Sequence, residues 1–178
     1  QICDDRNALL IFDEVQTGFG RTGKWFGKDH SGVRPDIMTL AKAMAGGLPI
    51  GAMLASESVA EALSRGDHGS TFAGGPLICA AALAVIDVIR EEKLVERSEE
   101  MGAYMKKELN KLNPREVRGL GLMVGLDLDV DCKSLVEKAL ARGVLINSTG
   151  EHTLRLIPPL VVDKKEIDQV VNVIGQSL

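Results

Sequence analysis

The sequence predicts an α/β fold built in two parts, and two observations carry that expectation. Up to about residue 92, short apolar runs alternate with Gly-rich loops and helical stretches. From residue 93 onward the signals form a compact βαββα pattern, an α+β lobe distinct from the first. A chain of 178 residues suits one ordinary domain or two small ones, and 45% apolar residues are enough for a buried core. Aromatics make up only 3%, so that core must come from Leu, Ile, Val, Ala and Met.

Each element has its own signal. Gln1 to Asn7 reads as the tail of a helix that leads into "ALLIF", a run expected to be a buried strand. Such a strand needs neighbours on both sides, so the chain is expected to belong to a longer one. "IMTLA" and "IGAMLA" read as further buried strands, and "ESVAEALSRG" as a helix started by Ser56. "GPLICAAALAVIDVIREE" is a strong helix, with Pro76 in its first turn and an Ala-rich body. A second amphipathic helix, Leu94 to Leu112, is ended by Asn113-Pro114. "EVRGLGLMVGLDLDV" then gives alternating strand signals, and "KSLVEKALARG" a helix closed by Gly143. "VLINST" and "TLRLIPPLVV" are strands flanking a "GEH" turn, and "KKEIDQVVNVIGQSL" is a terminal amphipathic helix.

Composition excludes several classes of function. A net charge of −4, with no basic stripe carrying interleaved aromatics, argues against nucleic acid. Cys3, Cys79 and Cys132 are odd in number and far apart, which fits a reducing, cytoplasmic setting better than a disulfide framework. The scattered His30, His68 and His152 give no metal-ligand spacing. Ile37 to Ser56 is long enough to suggest a membrane span. It contains Lys42, Gly46-Gly47 and Pro49, however, and reads instead as two short strands joined by a loop.

One stretch advertises three chemistries at once. "LLIFDEVQTGFGRTGKW" holds an apolar run ending in Asp-Glu, a GxGxxG pattern and a GxxxxGK pattern. A P-loop needs Ser or Thr after its Lys and a helix next; here Trp25 follows, then glycines and a proline. A dinucleotide site likewise needs a crossover helix directly after the glycines. Neither requirement is met, so Gly18, Gly20 and Gly23 are read as loop geometry. What remains is Asp13 at the carboxyl end of a strand, where open α/β sheets place ligands. Its bland alternative is a structural salt bridge or cap.

Lys42 changes the balance. It follows "IMTLA" and precedes "AMAGG", neighbours that suggest a semi-buried amine held toward its neutral, nucleophilic form. A strand-end Asp plus a buried Lys is the pair that pyridoxal phosphate requires. Ser70 and Thr71, followed by glycines and a helix start, offer a phosphate site or an ordinary cap. Arg155, within "TLRLIPPL", either pairs with a nearby Asp or presents its fork to a substrate carboxylate.

Taken together, "LLIFDEVQTGFGRTGKWF", "PDIMTLAKAMAGGLPIGAM", "HGSTFAGGPLICAAALAVI" and "LINSTGEHTLRLIPPL" resemble consecutive segments of the class III, ornithine-type aminotransferases of fold type I. Within that class they resemble the acetylornithine-type members. The resemblance runs over the whole chain and departs from the family pattern at Ala45 and Gly75. It implies residues 1–92 as the later part of a large, mostly parallel-sheet domain that binds pyridoxal 5'-phosphate, and residues 93–178 as the small domain. It also implies that the earlier half of the enzyme lies outside this chain. Asp13 would pair with the cofactor's ring nitrogen, Val15 would pack on a ring face and Gln16 would lie by the phenolic oxygen. Lys42 would bond to the cofactor and shuttle the proton. Thr71, with Ser70, would hold the phosphate of the neighbouring subunit's cofactor in a homodimer with shared sites. Arg155 would clamp the α-carboxylate. The implied reaction moves the δ-amino group of N-acetylornithine to 2-oxoglutarate. Ornithine, 4-aminobutyrate or succinyldiaminopimelate as donor, and a chain inactive by itself, stay open as alternatives.

Overall fold

The computed structural model describes residues 1–178, which divide into two compact units, residues 1–19 with 24–93 and residues 20–23 with 94–178. In the first unit, a single-turn helix α1 (Ile2–Asp5) precedes β1 (Ile11–Asp13). β2 (Ile37–Leu40), β3 (Ala52–Ala55), α2 (Glu57–Ala60) and α3 (Pro76–Glu91) follow. The three strands form one sheet in the order β1-β2-β3. β1 and β2 run parallel, with Asp13 opposite Thr39, and β3 returns antiparallel as the sequence between Gly46 and Pro49 turns the chain. No helix is long and apolar enough to cross a membrane.

Within these 178 residues β1 has a neighbour on one side only, β2, and Leu9 and Ile11 are 57% and 56% exposed; the burial expected of it was tied to a second neighbour that this chain does not contain. Of the three strands only the central β2 buries alternate residues, Met38 and Leu40. One local expectation fails here. The helix expected from Ser56 to Gly66 is one turn long, because none of its residues is buried and a short helix without packing does not propagate. α3 does form in full: Pro76 occupies its first turn, where no N–H is needed, and Ala82 and Ile89 face inward.

In the second unit α4 (Leu94–Asn110) buries Leu94, Ser98, Met101, Gly102, Met105 and Leu109, a stripe at helical spacing. The chain leaves it through Asn113 in the left-handed region (φ 52°), just before Pro114. The run read as alternating strand signals is two strands, β4 (Glu116–Leu120) and β5 (Met123–Asp127), so the lobe continues after α4 as ββαββα. Gly121, with φ 50°, is the turn that splits them. α5 (Cys132–Ala141) is capped by the Asp131 side chain, which accepts from the Lys133 N–H at 3.0 Å. β6 (Asn147–Ser148), β7 (Thr153–Leu156) and α6 (Lys164–Gly175) complete the unit. At the start of α6, Asp163 and Glu166 form a capping box at 2.8 and 2.9 Å. The sheet is antiparallel throughout, in the order β4-β5-β7-β6. Leu109, Leu122, Leu126, Leu154 and Ile174 lie at the centre of its core.

Candidate functional site

The strand-end carboxylate and the lysine lie at the same end of two adjacent parallel strands. Asp13 closes β1 and is in register with Thr39 of β2, three residues before Lys42. The Asp13 Oδ1 atom accepts from the Val15 N–H at 3.0 Å and from the Thr39 hydroxyl at 3.3 Å. Its other oxygen, Oδ2, accepts no hydrogen bond from the protein. The carboxylate is thus aimed by its own strand end and keeps one acceptor open. No salt bridge involves Asp13, so the bland reading of it as half of an ion pair does not hold.

Lys42 opens a 3₁₀ turn, Lys42–Ala45, with its backbone in the left-handed region at φ 42°. For a residue with a Cβ this conformation costs about 1–3 kcal/mol and persists only where the surroundings impose it. Ala45 anchors the turn in the core, and Gly46 at φ 61° ends it. A Cβ on Gly46 would stand 3.2 Å from Val85 of α3, so the turn is pressed against that helix. The semi-buried amine expected from the sequence is not found: Lys42 is exposed. The small residues after it build the turn rather than a wall around its side chain. Its Nζ has no hydrogen-bond or ion-pair partner.

Glu14, the residue between Asp13 and Val15, escaped the sequence reading. It is 3% exposed, and its carboxylate accepts from the Gly27 N–H at 2.8 Å, the Lys28 N–H at 2.7 Å and the Thr17 hydroxyl. A carboxylate can stay buried without a cation when hydrogen bonds satisfy it in this way. A Cβ on Gly27 would lie 3.0 Å from Oε2, a tight approach that a glycine avoids. Glu14 therefore closes the loop behind Asp13, while the half-buried Val15 and Gln16 continue in front of it. A charge placed directly after an apolar strand was the available signal. Ser70 and Thr71 lie exposed in the segment that leads to α3, and they bond to none of these residues.

Loop geometry accounts for the glycines of the GxGxxG pattern, and a 3₁₀ turn (Gly27–His30) rather than a long helix follows them. Residues 20–23 belong to the second unit. Gly20 (φ 86°) passes Val95, Gly23 (φ 82°) passes Glu99, and Gly121 passes Thr22 so closely that a Cβ would come within 2.4 Å of backbone. The Arg21 carbonyl accepts from the Leu122 N–H and the Ser98 hydroxyl, each at 3.0 Å. Arg21 Nη1 donates to the carbonyls of Leu122, at 3.2 Å, and Pro158, at 2.5 Å. Burial pushes its guanidinium below the ordinary value, and no carboxylate compensates it.

Arg155 lies on β7, an interior strand, opposite Gly125 on one side and Asn147 on the other. It pairs with no acid. Asp127 is taken by Arg118 and Thr153, and these two bonds hold its carboxyl below the usual range. The Arg155 Nε is buried without a hydrogen-bond partner. The side chain lines a cavity of about 480 Å³, mostly apolar, whose walls include Leu145, Ile146, Ile157, Pro158 and Val170. An unpaired fork in a mainly apolar cavity suits a carboxylate with an aliphatic body.

Residues 1–178 match the class-III aminotransferase family. An acetylornithine aminotransferase of Methanosarcina acetivorans is 55% identical over 180 residues, covering 99% of this chain and 45% of that protein. One from Aquifex aeolicus is 47% identical over 178 residues, covering all of this chain and 47% of that protein. Among solved structures, the ornithine aminotransferase of Toxoplasma gondii ME49 superposes with a TM-score of 0.91 at 37% identity. An S-selective transaminase from Bacillus megaterium superposes with a TM-score of 0.94 at 32% identity. Each covers 99% of this chain, and the chain spans 44% of each. The chain thus spans a little under half the length of the curated relatives it matches.

Proposed function

The chain belongs to the class-III aminotransferases, and from that membership we propose that it carries the catalytic lysine and the carboxylate clamp of a pyridoxal-phosphate-dependent transaminase. The amino donor is N-acetylornithine and the acceptor 2-oxoglutarate, giving N-acetylglutamate semialdehyde and glutamate. Relatives named for the acetylornithine reaction, at 47–55% identity, support that donor. In this reading the first unit is the later part of the cofactor-binding domain and the second is the small domain. The observation that carries it is the strand-end pair: Asp13 with one oxygen open at the end of β1, and Lys42 in an imposed left-handed turn just after the adjacent β2.

These donors suit pyridoxal phosphate. Asp13 Oδ2 is an unfilled acceptor for a ring N–H, Lys42 Nζ an unpaired amine, and Val15 and Gln16 an apolar face and a polar edge beside them. When bound, the cofactor supplies an electron sink and a carrier for the amino group. Asp13 holds the proton on the ring nitrogen, and Thr39 and the Val15 N–H hold Asp13. With the cofactor bound, Lys42 Nζ would take the proton from the carbon that bears the departing amino group and would return it on the far side of that nitrogen. Arg155 fixes the substrate carboxylate through its planar fork. Ser70 and Thr71, exposed ahead of α3, reach the phosphate of a second copy's cofactor in a homodimer. Three free cysteines suit a reducing, cytoplasmic setting. The test is turnover of the full-length protein: Lys42→Ala is expected to abolish transamination, and turnover that survives it would refute the assignment.

A further inference from the structure

β7 carries Arg155, and it leaves the sheet through Pro158-Pro159, which have no N–H to donate. The register Gly125↔Arg155 and Val124↔Leu156, continued by two residues, sets Leu122 opposite Pro158. At that position the ladder lacks a donor on the β7 side. Arg21 stands in the gap. Its Nη1 donates to both the Leu122 carbonyl and the Pro158 carbonyl, while its own carbonyl accepts the Leu122 N–H. Ser98 of α4 bonds to the same Arg21 carbonyl and holds it from the helix side. Gly121 admits this segment, since a side chain there would collide with Thr22 and Gly23.

A half-buried guanidinium with no acid beside it is costly, and what it gains here is contact with two strand-end carbonyls. We propose that Arg21 is a positioning residue for Arg155. It replaces the N–H that Pro158 cannot offer, and so fixes the exit of β7 three residues beyond the carboxylate-binding fork. The proposal rests on the reading of Arg155 as the carboxylate clamp. Arg21 touches neither substrate nor cofactor in this role. It sets the direction from which Arg155 meets the carboxylate.

The experiment uses the full-length holoenzyme and glutarate, an unreactive dicarboxylate, with the dissociation constant measured by calorimetry. Arg21→Met is expected to raise Kd by about tenfold, the scale on which small misplacements of binding groups are felt, with kcat changed by less than about threefold. Cofactor retention at Lys42 should be unchanged. Adding Pro158→Ala to Arg21→Met restores a backbone donor at 158 and is expected to recover most of the lost affinity, an effect that a merely structural Arg21 would not show. Arg21→Leu, which also removes the donors, is read in the same way should the Met variant fail to fold, and Arg21→Lys, which keeps the charge and a donor, is expected to retain more of the affinity than either. An unchanged Kd, or a loss that Pro158→Ala does not recover, overturns the proposal. Arg155→Lys, run in parallel, separates the two readings. If it leaves Kd unchanged, the clamp itself is wrong; if it raises Kd while Arg21→Met does not, only the positioning role is wrong.

Discussion

The two units are built on different terms. The second closes a core in which Leu109, Leu122, Leu126 and Leu154 are fully buried between three helices and an antiparallel sheet. The first buries little beyond Phe19, Met38, Leu40, Ala45, Ala82 and Ile89, and leaves Phe72, Leu77 and Leu83 from 64% to 83% exposed. The candidate chemistry divides in the same way. In the first unit, Asp13 and Lys42 stand at exposed strand ends, held by backbone geometry and the buried Glu14. In the second, Arg155 sits on a packed strand in a walled cavity. Within these residues, Asp13 and Glu14 are held by hydrogen bonds to backbone and hydroxyl groups, whereas Arg155 is held on a strand packed into a core.

The sharpest way to break that contrast is to remove core volume from the second unit. In the 178-residue chain, Leu126→Ala, at a position with no exposure, is expected to cost about 2–5 kcal/mol in urea unfolding. Next comes the loop hub of the first unit. Glu14→Ala strands the Gly27 and Lys28 N–H groups, an expected loss of about 1–3 kcal/mol together with faster amide exchange at those two residues. Unchanged exchange would show that Glu14 does not organise the loop.

A gentler probe tests the link between α4 and α6. The Tyr104 hydroxyl donates to Asp168 at 2.7 Å, and that bond pushes its pKa from 10.0 up to about 12. Because the folded value is the higher one, this contribution to stability is whole below pH 10 and is lost as the pH rises to about 12. Tyr104 is the one tyrosine of the chain, so its phenolate absorbance can be followed directly, and Tyr104→Phe should flatten stability over that pH window. The smallest effect is expected at Leu83, 64% exposed on α3, where Ala should change the stability of this chain by less than about 0.5 kcal/mol. A loss as large as that at Leu126 would show that α3 is packed in a way its exposure denies.

Most of the elements were legible because their signals are local: Pro76 at a helix start, Asn113-Pro114 at a helix end, Gly143 closing another. Fold class followed from their order. Burial was less legible: the run after Ser56 reads as a helix from its residue types, yet only one turn forms because none of it is buried. The strand-end Asp13, Lys42 and the unpaired Arg155 were visible as residue types in context. The amine's exposure was not, because the same small residues that suggest a pocket wall also build a tight turn. Glu14 and Arg21 were missed for another reason: their partners are backbone atoms of Gly27, Lys28, Leu122 and Pro158, and only the folded register reveals which carbonyl or N–H lacks a mate.

Lys42, just after β2, is the residue proposed to bond to pyridoxal phosphate. Borohydride reduction of the full-length protein with the cofactor, followed by peptide mapping by mass, tests it most directly. The expected result is a single pyridoxyl group on the peptide containing Lys42, absent in Lys42→Ala. A pyridoxyl group on another lysine, or an equal yield in Lys42→Ala, would contradict it.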